Sequence, residues 1–430
     1  MTTGSASALR LRGVIQRART WMLVGLLWSY FGTTVVGGAV PVLVSLGLLP
    51  LLWLPLMATL ENVQDMCSAA AARMLRRFEA GKILVRCEVA DVALTLLAGA
   101  AIIAVDQRWA AVILCVYTAA TSFLPLFIDL AEEFYGAEIE RKAPGSAAVF
   151  NTYLYAALPA VSQFVSTPLG SLLAGWSVLA VLAVNVVASL LAVAARYRSL
   201  RLGRSVGVGS AANDNESAQH ADHEETNITL RTLLGMKGPG SPLFSASVPL
   251  AAGLSALYIG QWCASFIDNK GGFFAVAAIC AGVGALVGPF LARAATRRFG
   301  ATVVLYTGCV LTAVLMGSAA VYTWGSDPGS GSIAGLPVVV VLFWAYVALT
   351  SSLLTGVEVT QVTARQELFR GDRFIQVMGW GHSFAAAGGL LGVWAGLLLQ
   401  ADQQPAWALA AGAGLLASTI LILRPNPNLT

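Results

Sequence analysis

The chain has 430 residues, of which 57% are hydrophobic and only 11% are charged, and its formal net charge at pH 7 is +4. Soluble domains carry about 25% charged residues, so this composition excludes an ordinary soluble enzyme, a nucleic-acid-binding protein and a disordered chain. A mean hydropathy of +0.74 and long, continuously apolar runs indicate an all-α polytopic membrane protein. A transmembrane β-barrel is excluded because its strands alternate apolar and polar residues.

Turn residues and charges divide the apolar sequence into segments long enough to cross a bilayer, which requires about 20 residues per helix. The first run, from Trp21 to Leu46, is too long for the core of a signal peptide, so we expect it to be a retained first span. The sequence predicts twelve transmembrane helices, with approximate limits 21–45, 48–71, 83–105, 109–134, 146–170, 173–196, 245–267, 272–293, 301–323, 336–360, 374–399 and 405–423.

The distribution of lysine and arginine predicts the orientation of these spans, because cytoplasmic loops carry an excess of both. With the N-terminus in the cytoplasm, 24 of the 26 cationic residues face the cytoplasm, and only Arg108 and Lys270 face outward. We therefore expect a multi-pass protein of the plasma membrane, in a bacterium the inner membrane, with both termini cytoplasmic. The expected partners are the lipid bilayer and a small transported substrate, with no nucleic acid and no cofactor, and we expect a monomer.

A polar segment and an internal repeat divide the chain into two halves. Residues 199–243 contain the run GSAANDNESAQHADHEETN, which is polar and almost free of large apolar side chains, as is typical of a solvated linker. The segments 75–84 and 296–305, which follow spans 2 and 8, share two arginines, a phenylalanine and a leucine, with an alanine between them. The predicted divisions are a basic cytoplasmic segment (1–20), a six-helix half (21–198), the linker (199–243), a second six-helix half (244–424) and a cytoplasmic tail (425–430).

Ionisable residues within the spans are candidates for function, because each costs at least about 2.5–3.5 kcal/mol to insert. Glu61 and Asp65 lie one helical turn apart on span 2 and share a face. We interpret them, with Asp129 on span 4, as carriers of protons. A structural hydrogen-bonded cluster remains the alternative for the pair, and pairing with the basic loop after span 2 is the alternative for Asp129. Glu88 and Asp91 are placed in the first turns of span 3 and receive no function.

A histidine and a cysteine suggest a metal site in the second half. His382 is the only histidine within a predicted span, and small neighbours leave room around it. Cys263 lies on span 7, and a thiol with an imidazole suits Fe, Co, Ni or Zn better than Mg or Ca. The alternative is that His382 is a satisfied core histidine and Cys263 a small buried hydrophobic residue.

The basic segments that contain Arg76, Arg77, Arg297 and Arg298 resemble the signature loop of the major facilitator superfamily, although an arginine stands where that loop usually has an aspartate. The resemblance implies twelve transmembrane helices in two six-helix repeats that work by alternating access. It also implies gating roles for the four arginines.

Within that superfamily, several stretches resemble the ferroportin branch of iron exporters. They are Leu130 to Lys142, the Gly175–Ser177 turn, Leu257 to Cys263, and the run 358–373. The branch has an aspartate after a glycine in span 1, whereas here Gly32 is followed by a threonine. The resemblance implies substrate or metal contacts at Cys263, His382, Ser177 and Asn185.

Three functions follow from these observations. The first is export of a divalent transition metal such as iron, in exchange for protons, with export implied by the ferroportin resemblance. The second is a proton-coupled exporter of a small organic compound or drug. The third is a membrane-embedded acyltransferase that uses His382, for which no partner acid is marked. Because the chain has no phosphate-binding loop of the Walker type and no nucleophile-elbow motif, we expect it not to be an enzyme.

Overall fold

The computed structural model describes residues 3–75, 80–105, 109–128, 131, 158, 160–205, 234–236, 238–325, 331–333, 335–368 and 371–423. A π-helical turn, Ser162–Ser166, precedes α5, a 3₁₀ turn, Gly238–Gly240, precedes α7, and β1 (Ser332–Ile333) pairs antiparallel with β2 (Leu336–Pro337) between α9 and α10. The α-helices are α1 (Thr3–Ser45), α2 (Trp53–Leu75), α3 (Ala80–Ala104), α4 (Ala110–Thr121), α5 (Thr167–Ala174), α6 (Val178–Arg204), α7 (Pro242–Ala264), α8 (Lys270–Phe299), α9 (Ala301–Gly325), α10 (Val338–Leu368), α11 (Gly371–Leu398) and α12 (Pro405–Leu423).

These helices confirm the predicted all-α class with twelve helices. Nine helices in the described ranges are long and apolar enough to cross a membrane. Their ends agree with the predicted spans to within a few residues, apart from α1, the earlier end of α4 at Thr121, and the longer C-terminal ends of α6, α8 and α10. Most of predicted span 5 lies outside the described residues, and its last part forms the π-helical turn and the start of α5.

Local sequence signals explain where several helices begin and end. Ser241 accepts a hydrogen bond from the backbone N–H of Phe244 at 3.5 Å, and a proline follows it at the first position of α7. Asn269 caps α8 in the same way, accepting from the N–H of Gly272 at 2.9 Å. Gly300, with φ of +85°, ends α8 in a conformation that glycine adopts without strain, and α9 begins at the next residue.

The first and fifth helices of the second half pack backbone to backbone. Three glycines spaced four residues apart on α11 face α7, and a Cβ at any of them would overlap a carbonyl oxygen of α7. The contacts advance together along both helices, so α7 and α11 run parallel in a fixed register. The contacting pairs are Gly388 with Ala246, Gly392 with Leu250, and Gly396 with Leu254.

The corresponding helices of the first half also meet through glycines. A Cβ on Gly38 of α1 would overlap Thr167, and one on Gly170 of α5 would overlap the carbonyl oxygen of Val35. The Ser171 hydroxyl donates to the carbonyl oxygen of Gly38 at 2.9 Å. The same pair of helices is therefore in close contact in each half, which agrees with the internal repeat of the sequence.

The chain divides into two compact units, residues 1–40 with 67–225 and residues 41–66 with 226–430. The hairpin formed by the end of α1 and the start of α2 belongs to the second unit. Within that unit, Lys270 donates to the carbonyl oxygen of Ser45, and Gln261 donates to that of Pro41 at 2.9 Å. The indole N–H of Trp394 donates to the Thr59 hydroxyl at 2.9 Å. These hydrogen bonds join the hairpin to α7, α8 and α11.

Substituting Gly388 with alanine tests the backbone contact between α7 and α11. We expect G388A to lower the melting temperature of the detergent-purified protein, because overpacking costs about 1–3 kcal/mol. The matched control is G317A on α9, where an added Cβ meets no atom within 4 Å. It should be neutral or slightly stabilising. Equal melting temperatures for the two variants would contradict the contact.

Candidate functional site

Five polar side chains form one connected cluster inside the first unit. Asp91 and Thr95 come from α3, Tyr117 from α4, and Asn185 and Ser189 from α6. Thr95, Asn185 and Ser189 are buried, and Asp91 is half-buried. We call this group the Asp91 cluster.

The carboxylate of Asp91 is the centre of this cluster. Its Oδ1 accepts a hydrogen bond from the Tyr117 hydroxyl at 2.9 Å, and its Oδ2 accepts from the Ser189 hydroxyl at 2.7 Å. The Asn185 amide nitrogen lies 3.4 Å from Oδ2, 3.1 Å from the Thr95 hydroxyl and 2.7 Å from the Tyr117 hydroxyl. A single carboxylate is thus surrounded by one amide and three hydroxyls.

The cluster lies near the middle of the membrane-spanning part of α3. The apolar span of this helix runs from Gly81 to Ala104, so Asp91 lies about 15 Å along it. The sequence predicts Asp91 in the first turns of the span and assigns it no function. The structure places it deeper, because α3 begins at Ala80 and Asp91 is three turns inside the helix.

Asn185 also faces α1, at Gly32. In the ferroportin branch an aspartate follows the corresponding glycine. A Cβ on Gly32 would overlap the amide oxygen of Asn185, so glycine leaves the space that this side chain occupies. Asn185 is 1% exposed, and its Oδ1 has no hydrogen-bond partner among the residues that the structure describes. A buried acceptor without a donor costs about 1–3 kcal/mol. Burial of the Asn185 amide oxygen is therefore energetically unfavourable, as is common for polar groups at functional sites.

A buried ion pair lies beside the Asp91 cluster, toward the predicted cytoplasmic end. Arg196 Nη1 of α6 lies 2.9 Å from Glu88 Oε1 of α3, and both side chains are 1% exposed. Gly25 of α1 makes room for Arg196, because a Cβ there would overlap the arginine side chain. The pair joins α3 and α6 in a region with no access to solvent.

The second-half residues predicted to bind a metal are not brought together. Cys263 is 1% exposed and packs in an apolar cluster with Ile259 and Phe273. The register of α7 and α11 sets His382 level with Gly240, whereas Cys263 lies at the other end of α7. The two are therefore about 35 Å apart along the helix axes. The expectation that they share a cavity is not supported by this geometry, because metal ligands must lie within a few ångströms of each other.

The remaining predicted site residues fall in different places. Ser177 is the half-buried N-cap of α6, two helical turns from Asn185. Arg297 and Arg298 are exposed in the last turn of α8, where the guanidinium of Arg298 lies 5.4 Å from the ring centre of Phe299. Arg76, Arg77 and Asp129 lie outside the described residues, and Glu61 and Asp65 lie on α2 with side chains outside the described set.

Two further observations concern possible binding sites. In the part of the chain that it describes, no group of three His, Cys, Asp or Glu residues is close enough to hold a metal ion. A cavity of ≈ 180 Å³ lies among α7, α9, α10 and α12 of the second unit. Its polar lining consists of hydroxyls, and the rest is apolar. The hydroxyls belong to Ser255, Thr312, Tyr346, Thr350 and Ser351.

Comparison with solved structures identifies the class of fold. A bacterial homologue of the iron transporter ferroportin, in an inward-facing state, matches with a TM-score of 0.64 at 15% identity, covering 94% of this chain and 98% of that chain. A D-xylose–proton symporter matches with a TM-score of 0.63 at 14% identity, covering 96% and 98%. The nucleoside transporter NupG matches with a TM-score of 0.58 at 11% identity, covering 96% and 100%.

These likenesses show that the chain has the twelve-helix fold of major facilitator transporters, as the resemblance of the signature loop implied. The three structures just named are transporters according to their descriptions. No protein-family model and no curated protein matches the sequence.

Removing one member of the Glu88–Arg196 pair should destabilise the protein more than removing both. We expect E88Q to leave a buried cation without its carboxylate, at a cost of about 3–5 kcal/mol. The double variant E88Q/R196M should recover part of that loss, because neither charge then remains. Thermal unfolding of the purified variants measures both effects. A double variant less stable than E88Q would show that Arg196 acts mainly through other contacts.

Proposed function

We propose that this protein is a secondary active transporter that works by alternating access between its two six-helix halves. The fold supports this, since the similar structures carry iron, xylose and nucleosides according to their descriptions. The hairpin of residues 41–66, held to α7, α8 and α11 by hydrogen bonds, also supports it, because such a hairpin can act as a seal. A seal made of a few hydrogen bonds can open without disturbing either core. The predicted topology puts this seal on the outer side.

We further propose that the substrate is a divalent metal cation that binds at the Asp91 cluster. The observation that carries this is the mid-membrane carboxylate of Asp91 with Asn185, Ser189, Tyr117 and Thr95 around it. A cation needs an anionic ligand at that depth. Asp91 supplies it from α3, whereas the ferroportin branch has its aspartate on span 1. Export is the direction implied by the ferroportin resemblance.

Rotation of the Asn185 amide would complete the ligand set. The two orientations of an amide differ only in which atom is oxygen and which is nitrogen. After a half-turn, Oδ1 would join the cluster within reach of Asp91, and the amide nitrogen would face Gly32. The cluster would then present carboxylate, amide and hydroxyl oxygens. Such hard ligands suit Mn²⁺ or Fe²⁺ better than Zn²⁺ or Cu⁺. One carboxylate gives weak binding, and a carrier must release its substrate.

Substituting Asp91 with asparagine tests this site, because the change removes the anionic ligand and keeps the shape. We expect D91N to abolish Mn²⁺ binding in calorimetry and Mn²⁺ or Fe²⁺ flux in proteoliposomes, with the fold intact by thermal unfolding. The matched control is D268N, an exposed aspartate in the loop before α8, which should bind like the wild type. Wild-type Mn²⁺ affinity in D91N would exclude the Asp91 cluster as the metal site.

A second candidate substrate, a small organic compound, is favoured by the cavity in the second unit. Its ≈ 180 Å³ and its hydroxyl lining suit an uncharged polar molecule of a few heavy atoms. A panel of organic solutes run beside the metal assay separates the two. Transport of an organic solute by D91N at the wild-type rate would favour this candidate.

The contact between Lys270 and Ser45 gives a direct test of alternating access. In a variant without native cysteines, S45C/K270C can be joined by a short bifunctional thiol reagent. We expect cross-linking to stop transport, because the hairpin can no longer leave the second half, and cleavage of the linker to restore it. The single variants S45C and K270C, treated in the same way, are the controls. Undiminished transport by the cross-linked protein would refute a moving seal at this position.

A further inference from the structure

Helices α1 and α6 of the first unit pack side by side at the end that the topology places in the cytoplasm. A Cβ on Gly25 of α1 would overlap the Arg196 side chain of α6. Further toward that end, the Ser199 hydroxyl donates to the carbonyl oxygen of Ala18 at 2.7 Å. Earlier positions on α1 therefore lie beside later positions on α6, so the two helices run antiparallel and their cytoplasmic ends lie together.

An indole ring and three exposed arginines lie at these two helix ends. The guanidinium carbon of Arg198 on α6 lies 4.3 Å from the centre of the Trp21 ring on α1, which is a cation–π contact. Arg17 shares a face of α1 with Trp21 one turn away, and Arg201 shares a face of α6 with Arg198. All three arginines are exposed. We call Arg17, Trp21, Arg198 and Arg201 the arginine patch.

The arginine patch lies at the level of the lipid headgroups. Helix α6 begins at Val178, and a hydrocarbon core takes about 20 residues of helix to cross. Arg198 is therefore placed where the core ends on the cytoplasmic side. Its neighbour Tyr197 is exposed, and tryptophan and tyrosine are typical of the boundary between membrane and water. The positive charges thus lie at the depth of the lipid phosphates.

The orienting effect of cytoplasmic arginines accounts for their number but not for their arrangement. That effect depends on how many cations a loop carries and needs no ordered side chain. Here the Trp21 ring holds the Arg198 guanidinium while leaving it exposed. Beneath the patch, Ile15 and Met22 of α1 belong to one buried apolar cluster with Leu200 of α6. This packing fixes the two helices that carry the arginines, so the patch is preorganised.

We propose that the arginine patch binds the headgroup of an anionic phospholipid such as phosphatidylglycerol. The guanidinium groups bind the phosphate, whose oxygens match the planar fork of arginine donors. Basic sites between transmembrane helices at the cytoplasmic surface suit anionic headgroups, because charge and depth both match. The site goes beyond transport and does not depend on which solute the protein carries.

Native mass spectrometry of the full-length protein in neutral detergent tests the site, by titration with dioctanoyl phosphatidylglycerol or dioctanoyl phosphatidylcholine. We expect phosphatidylglycerol to bind more tightly. R198Q should weaken that binding roughly fivefold and R198Q/R201Q roughly twentyfold, as expected for the loss of one and two arginines at a membrane surface. The matched control is R293Q, which removes an exposed arginine on α8 and should bind like the wild type. Wild-type affinity in R198Q/R201Q, or an equal loss in R293Q, would overturn the proposal.

Substitutions of Trp21 test the ordered site without changing any charge. W21L removes the ring and should weaken phosphatidylglycerol binding, because Arg198 is then no longer held in place. W21F retains an aromatic face and should keep most of the affinity. Cooperative thermal unfolding of both variants checks that the fold is intact. Wild-type affinity in W21L would reduce the patch to diffuse surface charge and overturn the proposal.

Two further arms test other anions as occupants of the patch. Inorganic phosphate, titrated at constant ionic strength, should bind more weakly than phosphatidylglycerol. The linker that follows α6 carries five acids, and D214N/E216Q/D222N/E224Q/E225Q should bind the lipid like the wild type. Phosphate binding as tight as that of the lipid would assign the patch to a soluble anion. Lipid binding that appears only in the linker variant would assign it to the linker, and either result would overturn the proposal.

Discussion

The hydrocarbon core of a membrane offers no hydrogen-bond partner, so each polar group inside these helices depends on the protein for one. The backbone meets this requirement by forming helices, and the side chains meet it by clustering. Asp91 accepts from three donors, Glu88 lies against Arg196, and Arg365 is tied to a carbonyl and a hydroxyl. One exception is informative, because among the described residues the amide oxygen of Asn185 has no hydrogen-bond partner, and it lies where a Cβ on Gly32 would be.

Glycine in these helices decides where backbones and polar groups can lie. On α11 a row of glycines brings the helix into direct contact with α7, and on α1 Gly25 and Gly32 leave space for Arg196 and Asn185. The first use fixes the register of two helices, and the second admits polar side chains into a tightly packed half. Without a hydrophobic driving force between helices in lipid, such close contact is what stabilises helix association.

The two halves share a fold and differ in chemistry. The first contains acidic and amide side chains at mid-depth, whereas the second contains a hydroxyl-lined cavity and a buried arginine that donates hydrogen bonds to neutral oxygens. An internal repeat preserves packing positions, such as the contact of first and fifth helices, but leaves the polar positions free to diverge. The comparisons therefore identify the class of fold, and function depends on side chains that differ between the two halves of the repeat.

The sequence by itself determined the class and most of the helix limits, because hydropathy and charge act along the chain and need no knowledge of neighbours. Cap residues such as Ser241 and Asn269 also act locally, and they mark helix starts that the structure reproduces. Only the tertiary structure decided which residues meet. The register set by the glycines of α11 keeps Cys263 far from His382, although each stands on the span expected to carry it. Asp91 and Asn185, which are distant in sequence, lie in contact. Spacing along a single helix shows which residues share a face of that helix. Which positions of two helices are in contact depends on packing, and no local sequence pattern encodes it.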